Sequence, residues 1–238
     1  MNKNAILGLS MAILFPLTCY WIMKYFSAGI AEVPPRYFYD SVAIVEKNGK
    51  TSTDTIFHKV KNIHFTNQLG KEVSLDDLKG KVLVLDFFFS RCPSICPGLA
   101  MRMKRLQNSF KNDNDTIVQF ISVSIDPVHD SVIQLRKFAN RYTSNHDNWW
   151  FVTGDKKEIY DFALHELKAS VADAAVDTAF IHTENFFLLD RDRVVRGWYN
   201  GFDTIRQAEL VRDIPLLMLE KNRKRTFGEF VQELFGRS

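Results

Sequence analysis

Val82-Leu83-Val84-Leu85, framed by Lys81 and Asp86, is a continuous apolar run of the kind that a sheet buries on both faces. It leads through Phe87-Phe88-Phe89 to Cys92 and Cys96. Leu99, Met103, Leu106 and Phe110 then recur at helical spacing, with Arg102, Lys104 and Arg105 between them. The two thiols therefore belong to a strand-to-helix turn. Unpaired amides and the positive end of the helix dipole favour thiolate at such a place. Thiolates there either exchange disulfides or hold a soft metal, and the local pattern leaves both open.

The rest of the chain alternates strands and helices. Ile63-His64-Phe65, a turn over 67–71, and Val73 with Leu75 predict a hairpin, followed by a helical turn closing on Gly80. A strand over 117–125 ends at Asp126-Pro127, which reads equally well as turn chemistry or as part of a ligand site. A helix over about 131–142 follows, with Asp130 its expected N-cap. A third strand is expected over 149–152, and Asp155 is placed to cap the helix carrying Ile159, Phe162, Ala163 and Leu167. Two strands flank the turn Arg191-Asp192-Arg193. A last helix starts near Asp203-Thr204, and Pro215 is expected to kink or interrupt it. The expected class is a single α/β domain with a mixed central sheet.

A net charge of +3 is nearly balanced and gives no reason to expect nucleic acid as a partner. Lys221-Asn222-Arg223-Lys224-Arg225 reads as a solvated helix end. Residues 5–23 carry no charge, a length that suits a bilayer span of roughly 17–25 residues. They predict an N-terminal transmembrane helix, with Cys19 as an apolar membrane residue; Ser27-Ala28-Gly29 and Ala31 leave cleavage open. The expected organisation is an anchor or signal segment over 1–24, a linker over 25–55, the α/β domain over 56–220 and a tail over 221–238. An export signal with paired cysteines places the soluble domain on the non-cytoplasmic side, periplasmic or equivalent.

The order of elements resembles the thioredoxin fold. More narrowly, the chain resembles the Sco/SenC family, membrane-tethered copper-binding proteins that serve cytochrome oxidase assembly. Four blocks carry this: Gly80-Lys81-Val82; Phe89-Ser90-Arg91-Cys92-Pro93-Ser94-Ile95-Cys96-Pro97; Ser124-Ile125-Asp126-Pro127-Val128-His129-Asp130-Ser131; and His182-Thr183 ahead of Phe187-Leu188-Leu189-Asp190. The resemblance implies that Cys92, Cys96 and His182 are the ligands of one copper ion, Cu(I) or Cu(II); Asp126, from its place at the strand end, is a candidate support behind them. Ile181 stands before His182 where many relatives place an acidic residue, so Glu184 or Asp177 becomes the candidate neighbouring carboxylate.

Two thiolates and an imidazole form a soft three-coordinate set that suits Cu(I), whereas structural zinc wants a fourth ligand. On a regular helix, positions i and i+4 hold their Cβ atoms ~5–6 Å apart. A disulfide wants about 3.5–4.5 Å, so oxidation requires a loosened first turn. A static disulfide closing so small a loop would restrain the unfolded chain little. His58, His64, His129, His146 and His165 lack a comparable context and read as surface or core residues. Met101 and Met103 read as core packing.

The implied function is a metallochaperone that delivers copper to a cytochrome oxidase subunit or another copper protein. The alternative is a thiol-disulfide oxidoreductase reducing partner cysteines through Cys92 and Cys96, so enzyme status stays open. Against an ordinary thioredoxin-like reductase stand the three-residue spacer and the lack of proline between Pro127 and Pro215. Phe89 and Leu85, where a peroxidase of this fold would carry a hydroxyl residue and a proline, count against peroxidase chemistry.

Overall fold

The apolar run becomes strand β5 (Val82–Phe88), and all seven of its residues are buried. The computed structural model describes residues 3–27, 32–47, 50–110, 117–143, 145–169 and 183–220. Around β5 lie β3 (His64–Asn67), β4 (Glu72–Ser74), β6 (Val118–Ser124), β7 (Trp149–Thr153), β8 (Asn185–Leu189) and β9 (Val195–Asn200). They form one seven-stranded sheet in the order β4-β3-β7-β6-β5-β8-β9. β5, β6 and β7 run parallel, while β3, β4, β8 and β9 join antiparallel. The sheet is mixed, as expected.

Alternation along β5 explains the unbroken apolar pattern. Val82, Val84 and Phe88 face helices α2 (Ile95–Ser109), α3 (Val132–Tyr142) and α5 (Thr204–Leu219). Leu83, Leu85 and Phe87 pack on the other face with Phe162, Ala163 and Leu167. These last three follow α4 (Lys156–Asp161), which continues into a π-helical turn, Phe162–Glu166. Burial of each large apolar side chain contributes roughly 1.5–3 kcal/mol, so a polar residue in the strand stands out energetically.

Asp155 caps α4 as expected, accepting from the Glu158 amide at 3.0 Å. The expected cap of α3 is different: Ser131 holds that position, and Asp130 is fully buried on other hydrogen-bond work. Nor does Pro215 interrupt the last helix, which runs unbroken through it. Leu210, Ile214 and Leu217 are buried on both sides of the proline, so packing supports the helix across it. Where the composition suggested only a linker, β1 (Tyr39–Lys47) and β2 (Lys50–Phe57) pair antiparallel. Asn48-Gly49, a strong hairpin signal between Val42, Ile44 and the Thr-rich stretch beyond, pointed to this pairing.

The chain divides into two compact units, residues 1–33 and 34–238. Within the first, α1 (Lys3–Ser27) is a helix with Pro16 inside it. Among the described residues, however, no helix is long and apolar enough to cross a membrane. The transmembrane helix expected over 5–23 is thus not shown. The tail over 221–238 lies outside the described residues.

Candidate metal and thiol centre

β5 ends at Phe88, and the chain turns at once: the Cys92 amide donates to the Phe89 carbonyl at 3.1 Å. Helix α2 opens two residues after Pro93, with Ser94 at the cap position but no side-chain capping bond from it. The sulfur of Cys92 serves instead, accepting from the Cys96 amide at 3.3 Å. Pro97 falls in the first turn, where a missing amide costs nothing because helix amides there are unpaired anyway. Cys92 thus lies before the helix and Cys96 inside it. The cysteines are not neighbours on a regular helical face; the turn between them is already loosened.

Both thiols are free and buried. Desolvation pushes the Cys92 thiol up, but hydrogen bonds from the amides of Cys96, Ser94 and Ile95 and from the Cys96 thiol outweigh it. Its pKa settles below the ordinary thiol value. Cys96 moves the other way. Burial raises it strongly, and proximity to Cys92 and Asp86 adds to the rise. Hydrogen bonding favours thiolate at one sulfur, and burial favours the thiol at the other.

Asp86 escaped the sequence reading, although a carboxylate inside an apolar strand was the signal for it. It shares the helix-facing side of the sheet with Val84 and Phe88, and accepts from Ser122 Oγ at 2.5 Å. Trp149 Nε1 in turn donates to Ser122 Oγ at 3.0 Å. Complete burial pushes its pKa up to about 7, the hydrogen bond from Ser122 opposing.

Two further aspartates brace the cysteine turn against the β6–α3 loop. Buried Asp130 accepts from the Ser90 amide at 3.1 Å and from the hydroxyls of Ser90 and Ser124. Asp126 accepts from Arg91 Nη2 at 2.8 Å and lies 2.8 Å from His129 Nδ1. Desolvation works against its ionisation, but the bonds from His129 and Arg91 hold it below the usual carboxylate range. Asp126 therefore combines turn chemistry, its carbonyl accepting from the His129 and Asp130 amides, with a direct tie to the residue before Cys92.

His182 and Asp177 lie outside the described residues. The description resumes at Thr183, whose Oγ1 accepts from the Asn185 amide at 3.1 Å. Glu184 is engaged with Asn200 through its carboxylate and with Gly201 through its carbonyl. Among the described residues, no group of three or more His, Cys, Asp or Glu suits a metal ion. His58 sits with Asp40 and Glu166, and His146 with Gln68. Met103 is core, as expected, whereas Met101 is 45 % exposed on the outer side of α2.

The family described as SCO1/SenC matches residues 52–218. The chain belongs to the SCO1/SenC family. The SCO1 protein homolog of Bacillus subtilis is 38% identical over 167 residues, spanning 70% of this chain and 86% of that protein. Among solved structures, BsSco is described with a disulfide switch and as a member of the Sco family of cytochrome c oxidase assembly proteins. It is 37% identical, with a TM-score of 0.58 over 69% of this chain and 95% of its own. A SCO1/SenC family lipoprotein from Bacillus anthracis str. Ames is 33% identical, with a TM-score of 0.59 over 67% of this chain and 95% of its own. The SCO1/SenC fold, thioredoxin-like with a mixed sheet, is therefore the fold of this chain.

Proposed function

We propose that this SCO1/SenC protein takes one copper ion as cargo on Cys92, Cys96 and His182. It then passes the ion to a copper-site subunit of cytochrome oxidase or another copper protein. The observation that carries this reading is the reduced cysteine pair at the head of α2, with Cys92 held towards thiolate by helix amides. Soft sulfur donors select Cu(I) and, with an imidazole, tolerate Cu(II). Chain continuity supports the third ligand. β8 runs antiparallel to β5 with Phe187 opposite Leu85, so the chain enters β8 at the sheet end from which the cysteine turn leaves. His182 precedes Thr183 by a single peptide link, ~3.8 Å between Cα atoms. Transfer proceeds by stepwise exchange, incoming ligands of the partner displacing the two sulfurs in turn. Asp126, bonded to Arg91, is proposed to steady the cysteine turn while this happens.

Copper titration of the reduced full chain tests this. One ion bound per chain, loss of tight binding in Cys92→Ser and Cys96→Ser, and an altered absorption spectrum in His182→Ala are expected. Identical spectra for wild type and His182→Ala would remove the histidine from the site.

A second reading rests on the asymmetry of the two thiols. A thiolate-leaning Cys92 beside a proton-retaining Cys96 suits attack on a partner's disulfide, followed by resolution through Cys96. BsSco, described with a disulfide switch, supports the same chemistry. Retained thiol exchange in His182→Ala with copper binding impaired would separate the two activities.

Attachment to a membrane, with the domain on the non-cytoplasmic side, is proposed for the N-terminal helix. Its exposed Met11, Leu14, Phe15 and Leu17 support this. Recovery of the full chain in the soluble fraction of cells would exclude it.

A further inference from the structure

On the flank of the cysteine turn away from β8, Arg91, Lys137 and Arg141, with His129, Ser90 and Gln134, line a hollow of about 310 Å³. Its floor is Phe138, a buried ring packed on Phe88 at 4.9 Å, and the Arg141 guanidinium lies over that ring at 6.0 Å. No carboxylate is among the lining residues. Of the carboxylates bonded to the lining residues, Asp126 is spent on Arg91 and His129, and Asp130 is buried against Ser90. Lys137 and Arg141 have no carboxylate partner among the described residues. Two cationic groups therefore stand uncompensated about one helical turn apart. Ile133, Lys137 and Arg141 form a single stripe along α3. Ile133 is 66 % exposed and Val128, in the preceding turn, 79 %. Two exposed apolar residues, each next in sequence to a lining residue, thus accompany a cationic hollow whose wall includes the residue that precedes Cys92.

We propose that this hollow docks an acidic segment of a partner protein and thereby presents that partner's sulfur or metal ligands to Cys92. The inference deepens the reading that Cys92 exchanges with a protein partner. Charge complementarity carries it: a Lys–Arg pair with no carboxylate partner among the described residues, near exposed Ile133 and Val128 in sequence, suits a carboxylate-bearing peptide with apolar neighbours. The Ser90–Asp130 bonds hold the hollow and the cysteine turn as one piece, so docking on α3 fixes the approach to the sulfur.

The test uses the reduced, copper-free full chain and two probes. The first is a fluorescently labelled, cysteine-free Glu/Gly peptide read by anisotropy. Its binding is expected to weaken ~10-fold in Lys137→Glu/Arg141→Glu. It should persist in Lys71→Glu/Lys157→Glu, which changes net charge equally elsewhere, and in Cys92→Ser/Cys96→Ser. The second probe is a Glu/Gly peptide with one cysteine, supplied as its mixed disulfide with thionitrobenzoate. The Cys92 thiolate attacks the peptide sulfur, the existing S–S bond breaks, and coloured thionitrobenzoate leaves with the electron pair. Exchange is expected ~10-fold faster than with the Lys/Gly counterpart at low salt, the preference collapsing at high salt and inverting in Lys137→Glu/Arg141→Glu. Equal affinities in wild type and the charge-reversed variant, or equal rates with acidic and basic peptides, would overturn the proposal. So would inorganic phosphate binding as tightly as the peptide. Peptide binding that survives while no peptide exchanges would uphold docking and sink the thiol reading.

Discussion

The Cys96 amide points at the sulfur of Cys92 across 3.3 Å, so the acceptor at the head of the cysteine helix is a sulfur rather than the usual oxygen. Ser94 occupies the cap position without bonding through its side chain, which leaves the helix amides to the sulfur. The same bond that helps start the helix also favours thiolate at the cysteine ahead of it.

Alkylation by iodoacetamide, mapped by mass spectrometry, should reveal the asymmetry. Cys92 is expected to react with a pH midpoint below that of an ordinary free thiol. Cys96, buried and shifted upward, should label only when the chain unfolds. Equal labelling of both at every pH would contradict the hydrogen-bond arrangement.

Asp86 makes stability depend on pH in a defined direction. Its folded pKa, about 7, lies above the ordinary 3.8, so the folded state binds the proton more tightly. The resulting stabilisation is full below about pH 4 and is lost as pH rises through about 7. Asp86→Asn keeps an acceptor for Ser122 and removes the titration. It should be more stable than wild type at pH 8 in urea melts, with the advantage shrinking towards pH 5. A parallel pH dependence in the two proteins would refute this assignment.

Gly201 has no room for a methyl group. A Cβ there would lie 2.3 Å from Leu99 Cδ2, 3.0 Å from the Phe186 ring and 3.1 Å from the Glu184 carbonyl. Leu99 belongs to the cysteine helix, so Gly201→Ala should destabilise by about 1–3 kcal/mol and loosen the helix start. Thermal melts check the first effect, and faster alkylation of Cys96 the second.

Arg196 is 3 % exposed and donates to the Pro34 carbonyl, Asp190 and Glu220. It ties three distant stretches of chain at one point. Arg196→Ala leaves Asp190 buried without that partner and should destabilise by about 3–5 kcal/mol, whereas Arg36→Ala, at a half-exposed partner of the same acids, should change stability far less. Chemical denaturation curves of the two variants decide it.

The local pattern was enough for the central strand, the helix behind the cysteines, the closing hairpin and the Asp155 cap, because each is written in a contiguous period or a short-range bond. It was also enough to place the two sulfurs at the strand-to-helix turn and to identify the family, since the whole Cys92–Cys96 block is contiguous. What it missed arises from partners far apart in the chain. Asp130 looked like a cap because the next helix is adjacent, yet Ser90, forty residues away, claims its carboxylate. Pro215 was expected to kink or interrupt the helix because the proline ring disfavours it, yet the helix runs through it without interruption, with buried side chains on both sides. Asp86 needed Ser122 across the sheet to become legible, and the unpaired cations of α3 needed the cysteine turn folded against them. Local chemistry decides which elements form; desolvation and charge balance exist only once the sheet has gathered residues that the sequence keeps apart.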